Sequence, residues 1–346
     1  MWKNLAFKKQ IILILLVPIS GLLYFTISNL NVTYKNYLRL DNSLKHLEII
    51  GYLSKTKTLI NDERALYQYS KISMTSAEEY IAKFEQVTNR LSHFNSQDTT
   101  VTKNISVVRD YFDKINTLRD EKTISLSSTY ENYYQINLII DNLIDREIIN
   151  CDDTELAKLA NNLKCYIESK AASNLMRGIV LDKITQNSYD PTLSYYYENA
   201  KHLSYNSNYK LGLLNHSNIN DEILAYKNSS EFKNFSSTAN EIMDSKLNLS
   251  AAAWWKTSTA VNEKLRALRD TKVDYIIQYT QKQQKAIYIK TVLTIVLLLS
   301  LLLLTILLVY HLIKNTVTAL NIISNSIKKI ALGNINSQFM LAGNEE

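Results

Sequence analysis

The chain has 346 residues, with 6 Gly, 2 Pro, 39 Lys and Arg, 33 Asp and Glu, and a formal net charge of +6. So little Gly and Pro argues against turn-dense sandwiches, barrels and glycine-rich phosphate loops, and a small, scattered positive surplus does not make a nucleic-acid face. Two Cys and five His argue against a disulfide scaffold and a zinc cluster, so no metal or cofactor is expected, and the composition fits an all-α membrane protein.

Residues 1–10 carry Lys3, Lys8 and Lys9 and lead into an uncharged apolar stretch from Ile11 to Ile27. A cleaved signal peptide begins the same way. The seventeen uncharged residues and the helical pattern that continues past Ser28 and Asn29 favour an uncleaved transmembrane helix over 11–30, kinked at Pro18. The three lysines place the N-terminus in the cytoplasm. Residues 31–286 are then expected outside.

Helical signals fill that segment. The pattern after Ile27 runs on through Leu30, Tyr34, Leu38, Leu44, Leu47, Ile50 and Leu53. Thr75 followed by Glu78 and Glu79 opens another helix, with Ile81, Phe84, Val87 and Leu91 at helical spacing. Asp153-Thr154-Glu155 opens a further one, Asp190-Pro191 breaks it, and Tyr195 to Tyr197 begin the next. Asn206 to Asn218 reads as a loop, while Asn220-Asp221-Glu222 and Ser229-Ser230-Glu231 read as two more starts. No alternation is long enough for a sheet, and the spacing predicts stacked antiparallel helical bundles.

The second apolar block is stronger. Thr291 to Ile313 holds 23 residues without Lys, Arg, Asp or Glu, roughly 35 Å of helix, which predicts a second transmembrane helix over 287–313. The helix before it runs back through Ile287, Tyr279, Ile276, Val273 and Leu268 to Trp254. Both spans are thus expected to continue directly into the outer segment. Such a layout lets ligand binding be conveyed as a helix shift of about 1–2 Å.

No catalytic constellation is present: the chain contains no GxSxG, GxxxxGK or CxxC, and its His residues do not pair at helix-ligand spacing. His311 falls at the cytoplasmic end of the second span, where an interfacial role is expected. Cys151 and Cys165, 14 residues apart, are expected as free thiols.

The arginines are more informative, because there are only nine beside thirty lysines. Glu63 and Arg64 fall at the end of an apolar row, Ile49, Leu53, Thr56, Ile60, that resumes at Tyr67. Lys170, Asn174 and Arg177 interrupt the row Leu163, Ile167, Leu181, Ile184, and Arg266 and Arg269 share a face with Trp255, Thr259, Asn262, Val273 and Ile276. A buried guanidinium needs a partner. Internal carboxylates such as Glu63 or Glu168 are one answer. A small oxyanion between converging arginines is the other, since a planar anion matches the guanidinium fork.

At these positions the chain resembles the nitrate- and nitrite-sensing (NIT) domain family. Thr58 to Leu66, with its Glu63-Arg64 pair, is similar to the family's first motif; Glu168 to Gly178 to its second; and Ala253 to Thr259 with Leu265-Arg266-Ala267-Leu268 to its aromatic-led third. Ala65 stands where a Gly or second Arg is frequent, and Asn174 where Gly or Glu is common. The resemblance implies two helical bundles that bind nitrate or nitrite between them, with Arg64, Arg177 and Arg266 as ligands; Lys170 and Arg269 join them as candidates from their seams. Residues 314–346, from Asn315 through Leu332-Gly333-Asn334-Ile335, resemble the first helix and connector of a HAMP linker, and Gly343 to Glu346 the point where its second helix should begin. A partial HAMP-like linker without an output domain is therefore expected.

The expectation is the sensory half of a homodimeric receptor of the chemoreceptor type, not an enzyme, for nitrate or nitrite. Two alternatives stay open: the same architecture for an amino acid or other small carboxylate, and a non-signalling, membrane-anchored helical protein.

Overall fold

The computed structural model describes residues 7–73, 75–94, 98–120, 126–186, 191–213 and 221–332. The described residues form nine helices and no strand: α1 (Phe7–Ser70), α2 (Thr75–Ser92), α3 (Thr99–Asp120), α4 (Leu126–Ile149), α5 (Thr154–Gln186), α6 (Pro191–Leu213), α7 (Asp221–Asn228), α8 (Ser230–Met243) and α9 (Ala251–Ala331). The protein is all-α.

Short polar side chains set the helix starts. The Asp153 carboxylate accepts from the amides of Glu155 and Leu156, each at 3.0 Å, and Ser229 accepts from the Phe232 amide, satisfying first-turn donors that have no partner inside the helix. Asp98 does the same for Thr100 and Val101 at the head of α3. Pro191 occupies the first position of α6, where its missing N–H costs nothing. The expected loop from Asn206 is helical as far as Leu213. Ser207 of this stretch is fully buried and pairs with Ser169 of α5 at 3.0 Å. Residues 214–218 of that loop, and 333–346 of the HAMP-like stretch, lie outside the described residues.

The chain divides into two compact units, one of residues 1–38 with 283–346 and one of residues 39–282. In the larger unit α3 packs against α4 and α2, and α5 against α6 and α8. Its core is mostly aliphatic, with a cluster of buried aromatic rings. Trp254 is completely buried and stacks on Phe235 with centroids 5.3 Å apart, and Tyr166 is buried with it. Cys151 and Cys165 are buried free thiols.

The smaller unit has the reverse pattern. Among the described residues one helix, α9, is long and apolar enough to cross a membrane. Its leucines face outward, with Leu293, Leu297 and Leu303 at 63%, 62% and 60% exposure. A leucine-rich helix that buries none of this surface within the unit calls for apolar surroundings. The first apolar stretch belongs to α1, which is helical without a break from Phe7 through Pro18 to Ser70.

Candidate functional site

The middle of α1 is enclosed on all sides: Thr56, Lys57 and Thr58, then Ile60 through Leu66, are buried. Consecutive helical residues point about 100° apart, so Asp62, Glu63 and Arg64 must find partners in three directions. They do.

Asp62 meets three cations. Its Oδ1 lies 3.5 Å from Lys170 Nζ and accepts from the Arg177 guanidinium at 3.2 Å and the Asn174 amide at 3.1 Å, while its Oδ2 accepts from Arg266 at 2.5 Å. α1, α5 and α9 therefore join at one carboxylate. Burial alone would raise the Asp62 carboxyl, but the charges of Lys170, Arg177 and Arg266 outweigh burial and hold it far below the usual carboxylate range. Lys170 is itself fully buried, and desolvation pushes its ammonium down to about 7 against the pull of Asp62, helped by repulsion from Arg177, Arg266 and Arg269. The closer partner of Lys170 is Asn262, whose Oδ1 accepts at 2.9 Å. Arg266 also pairs with Glu263 at 3.0 Å, so these three cations face two carboxylates and at most one positive charge stays uncompensated.

The guanidiniums also keep unused donors. The Nε groups of Arg177 and Arg266 are buried and donate to nothing among the described residues. The Arg177 guanidinium lies 4.7 Å from the Trp255 ring centroid, Trp255 stacks on Tyr69 at 4.3 Å, and Trp254 Nε1 donates to the Arg177 carbonyl at 3.0 Å. Successive tryptophans thus fix the backbone and the head group of the same arginine. A cleft of about 360 Å³ opens onto this set, lined by Asp62, Leu66, Arg177, Trp255, Thr259 and Arg266, with Glu79, Lys83, Gln86 and Glu263 among its remaining walls.

Of the five candidate ligands, the structure brings Lys170, Arg177 and Arg266 together. Arg64 is not in contact with Asp62. It passes over Gly178, donates to the Asn174 carbonyl at 3.3 Å, and lies 5.1 and 5.7 Å from the ring centroids of Tyr130 and Tyr133. Arg269 turns to Asp270 at 2.6 Å and to the Thr58 hydroxyl. The carboxylates expected to balance the arginines are engaged elsewhere. Glu63 binds Arg119 at 2.6 Å and accepts from Tyr133 at 2.5 Å, and Glu168 lies 3.3 Å from Lys210.

Asp62 is the residue of this cluster that helical spacing missed; Asn262 stood on the Arg266 face but not among the candidate ligands. The available signal was the unbroken polar run Asn61-Asp62-Glu63-Arg64 between Ile60 and Ala65-Leu66. Apolar neighbours in every phase leave such a run no solvent face.

No family model matches this sequence, and no curated protein matches it. Among solved structures, the chain is similar to that described as "Structure of the NasR transcription antiterminator", with a TM-score of 0.60, 12% identity, and coverage of 86% of this chain and 88% of that one. At that identity the likeness is one of helical fold.

Proposed function

We propose that this chain is a transmembrane receptor whose helical unit, residues 31–286, binds nitrate or nitrite at the Lys170–Arg177–Arg266 set. The single observation that carries the reading is the convergence of three cations on one carboxylate that lines a cleft together with Arg177 and Arg266. A desolvated cluster with surplus positive charge attracts an anion. The resemblance of the surrounding motifs to the NIT family supplies the choice of oxyanion. The helical fold shared with the NasR antiterminator is compatible with it.

In this reading, 11–30 and 287–313 are two spans of a bacterial inner membrane, and the sensor consists of two stacked bundles in the periplasm. The receptor acts as a homodimer, and 314–346 is a HAMP-like linker towards cytoplasmic signalling partners. Among the described residues, the helix that contributes Arg266 is long and apolar enough to cross a membrane. A change at the site therefore has a direct mechanical route to α9. Calorimetry on the full chain in lipid nanodiscs tests the proposal. Wild type binds nitrate or nitrite and Arg177→Ala loses at least tenfold in affinity; no binding, or equal binding by the variant, rejects it.

One observation favours a second ligand class. Glu79 and Glu263 share the cleft with Arg177, Arg266 and Lys83, so an amino acid could set its carboxylate on the arginines and its ammonium on the acids. Competition between nitrate and a panel of small carboxylates and amino acids separates the two.

A further inference from the structure

We infer that Asp62 is a tethered competitor: its carboxylate occupies the position of the incoming anion, and binding proceeds by its displacement. The inference rests on the anion-binding reading above and adds how that site is regulated.

The argument is geometric. A guanidinium grips a planar oxyanion best with two adjacent N–H groups. On Arg266 one terminal nitrogen is held by Glu263 at 3.0 Å and the other by Asp62 at 2.5 Å, leaving only the isolated Nε without an acceptor. On Arg177 one terminal nitrogen goes to Asp62 at 3.2 Å, the other reaches Thr259 at 3.5 Å, and Nε again has no acceptor. On both arginines Asp62 takes up one terminal nitrogen while Nε has no acceptor. If Asp62 withdraws, each guanidinium regains that terminal nitrogen for a two-point grip, on residues that line the same cleft as Asp62.

Asp62 also divides its two oxygens unequally among its donors. Its Oδ1 serves Lys170 at 3.5 Å and Arg177 at 3.2 Å, longer than the usual 2.7–2.9 Å of a charge-assisted bond, while Oδ2 meets Arg266 at 2.5 Å. A free oxyanion is not limited by a helix backbone and can settle at shorter distances to the same donors. Ligand affinity is then the difference between two anions competing for one set of cations, and Asp62 sets the ligand level at which the site responds. Displacement further breaks the contact between α1 and α9 made by Asp62 and Arg266, so occupancy is coupled to the relation of the two longest helices.

The test compares wild type, Asp62→Asn and Asp62→Glu as full chains in nanodiscs, by calorimetry and thermal melting with sodium nitrate, sodium nitrite and sodium acetate. Asp62→Asn removes the competing charge while keeping the side-chain shape. It is expected to bind nitrate or nitrite at least tenfold tighter than wild type, and its melting temperature to depend more steeply on that anion. Asp62→Glu keeps the charge and is expected to stay within about threefold of wild type. If Asp62→Asn folds only when the oxyanion is present, that dependence supports displacement. Failure to fold at any anion concentration overturns it, by showing that no free anion replaces the carboxylate. Wild-type binding with equal or weaker binding by Asp62→Asn overturns the competitor role and leaves the anion site standing. No binding by either protein removes the anion site and this inference together.

Discussion

Asp62 of α1 and Arg266 of α9 are separated by 204 positions in sequence, yet their side chains meet at 2.5 Å. The opposite oxygen of the same carboxylate reaches Lys170 and Arg177 of α5. A single acid is therefore shared by cations that repel one another, and this makes the cluster asymmetric towards mutation.

Removing one cation relieves repulsion among those left, whereas removing the acid strips all three. Arg177→Ala leaves Asp62 with Lys170 and Arg266 and is expected to cost less than the ~3–5 kcal/mol of a broken buried pair. Asp62→Ala leaves three buried or half-buried cations without their common partner and is expected to reach or exceed that range in anion-free buffer. Urea unfolding of the two variants side by side checks the order. Equal costs would mean that the cations do not share the carboxylate.

Glu63 is held by two close partners. It is fully buried, held by Arg119 at 2.6 Å and Tyr133 at 2.5 Å, with Arg119 seated 3.6 Å from the Tyr67 ring centroid. Glu63→Gln leaves Arg119 charged in a desolvated place, so a loss of ~3–5 kcal/mol is expected. The exposed pair Lys45–Asp41, at 66% and 35% exposure, is the control: Lys45→Met is expected to change stability by less than ~0.5 kcal/mol. Thermal melting of both variants decides whether burial, and not pairing as such, sets the cost.

The helical architecture was legible because its determinants are local. Asp153, Ser229 and Pro191 fix helix starts within a few residues of themselves. Lys170, Arg177 and Arg266 stood out for a related reason, as cations interrupting or sharing otherwise regular faces. Asp62 did not, because picking one apolar seam presumes one buried face, and α1 between Thr56 and Leu66 is buried nearly all round. Glu63 and Arg64 were visible as a pair, but their real partners, Arg119 for the one and the Tyr130 and Tyr133 faces for the other, depend on where α3 and α4 pack. Sequence spacing carries no record of that.

Buried titrating groups give the stability a minimum near neutral pH. Burial raises the Asp182 carboxyl from 3.8 to about 6, although Tyr130 donates to it at 2.6 Å. Between about 4 and about 6 the native state holds the extra proton, so stability falls as pH rises through that window. Burial also lowers Lys170 to about 7 and Lys227 and Lys272 to about 8, from an ordinary value of 10.5. From about 7 to about 9 the unfolded chain holds more protons on these lysines, so stability rises with pH; from about 9 the Cys151 and Cys165 thiols, pushed up by burial to about 11, oppose the rise. The melting temperature is therefore expected to be higher at pH 9.5 than at pH 6.5. Asp182→Asn should flatten the acid limb, and Lys170→Met the part of the alkaline limb that begins near pH 7. A melting temperature that is level or falling from pH 6.5 to 9.5 would rule out this account.

Gly178 tests whether Arg64 is held in place. A Cβ at this position would lie 3.1 Å from an Arg64 terminal nitrogen and 3.6 Å from its guanidinium carbon. Inside a helix, Gly→Ala ordinarily gains ~1 kcal/mol, so an unconstrained Arg64 would let Gly178→Ala stabilise the protein. Arg64 is 2% exposed and flanked by the Tyr130 and Tyr133 rings, which leaves its head group little room to retreat. Gly178→Ala is accordingly expected to be neutral or destabilising in the wild-type chain and stabilising by up to ~1 kcal/mol in an Arg64→Ala background. The double-mutant cycle reads the coupling directly. A coupling energy near zero would show that Arg64 swings away freely, and that the approach over Gly178 is not what positions it.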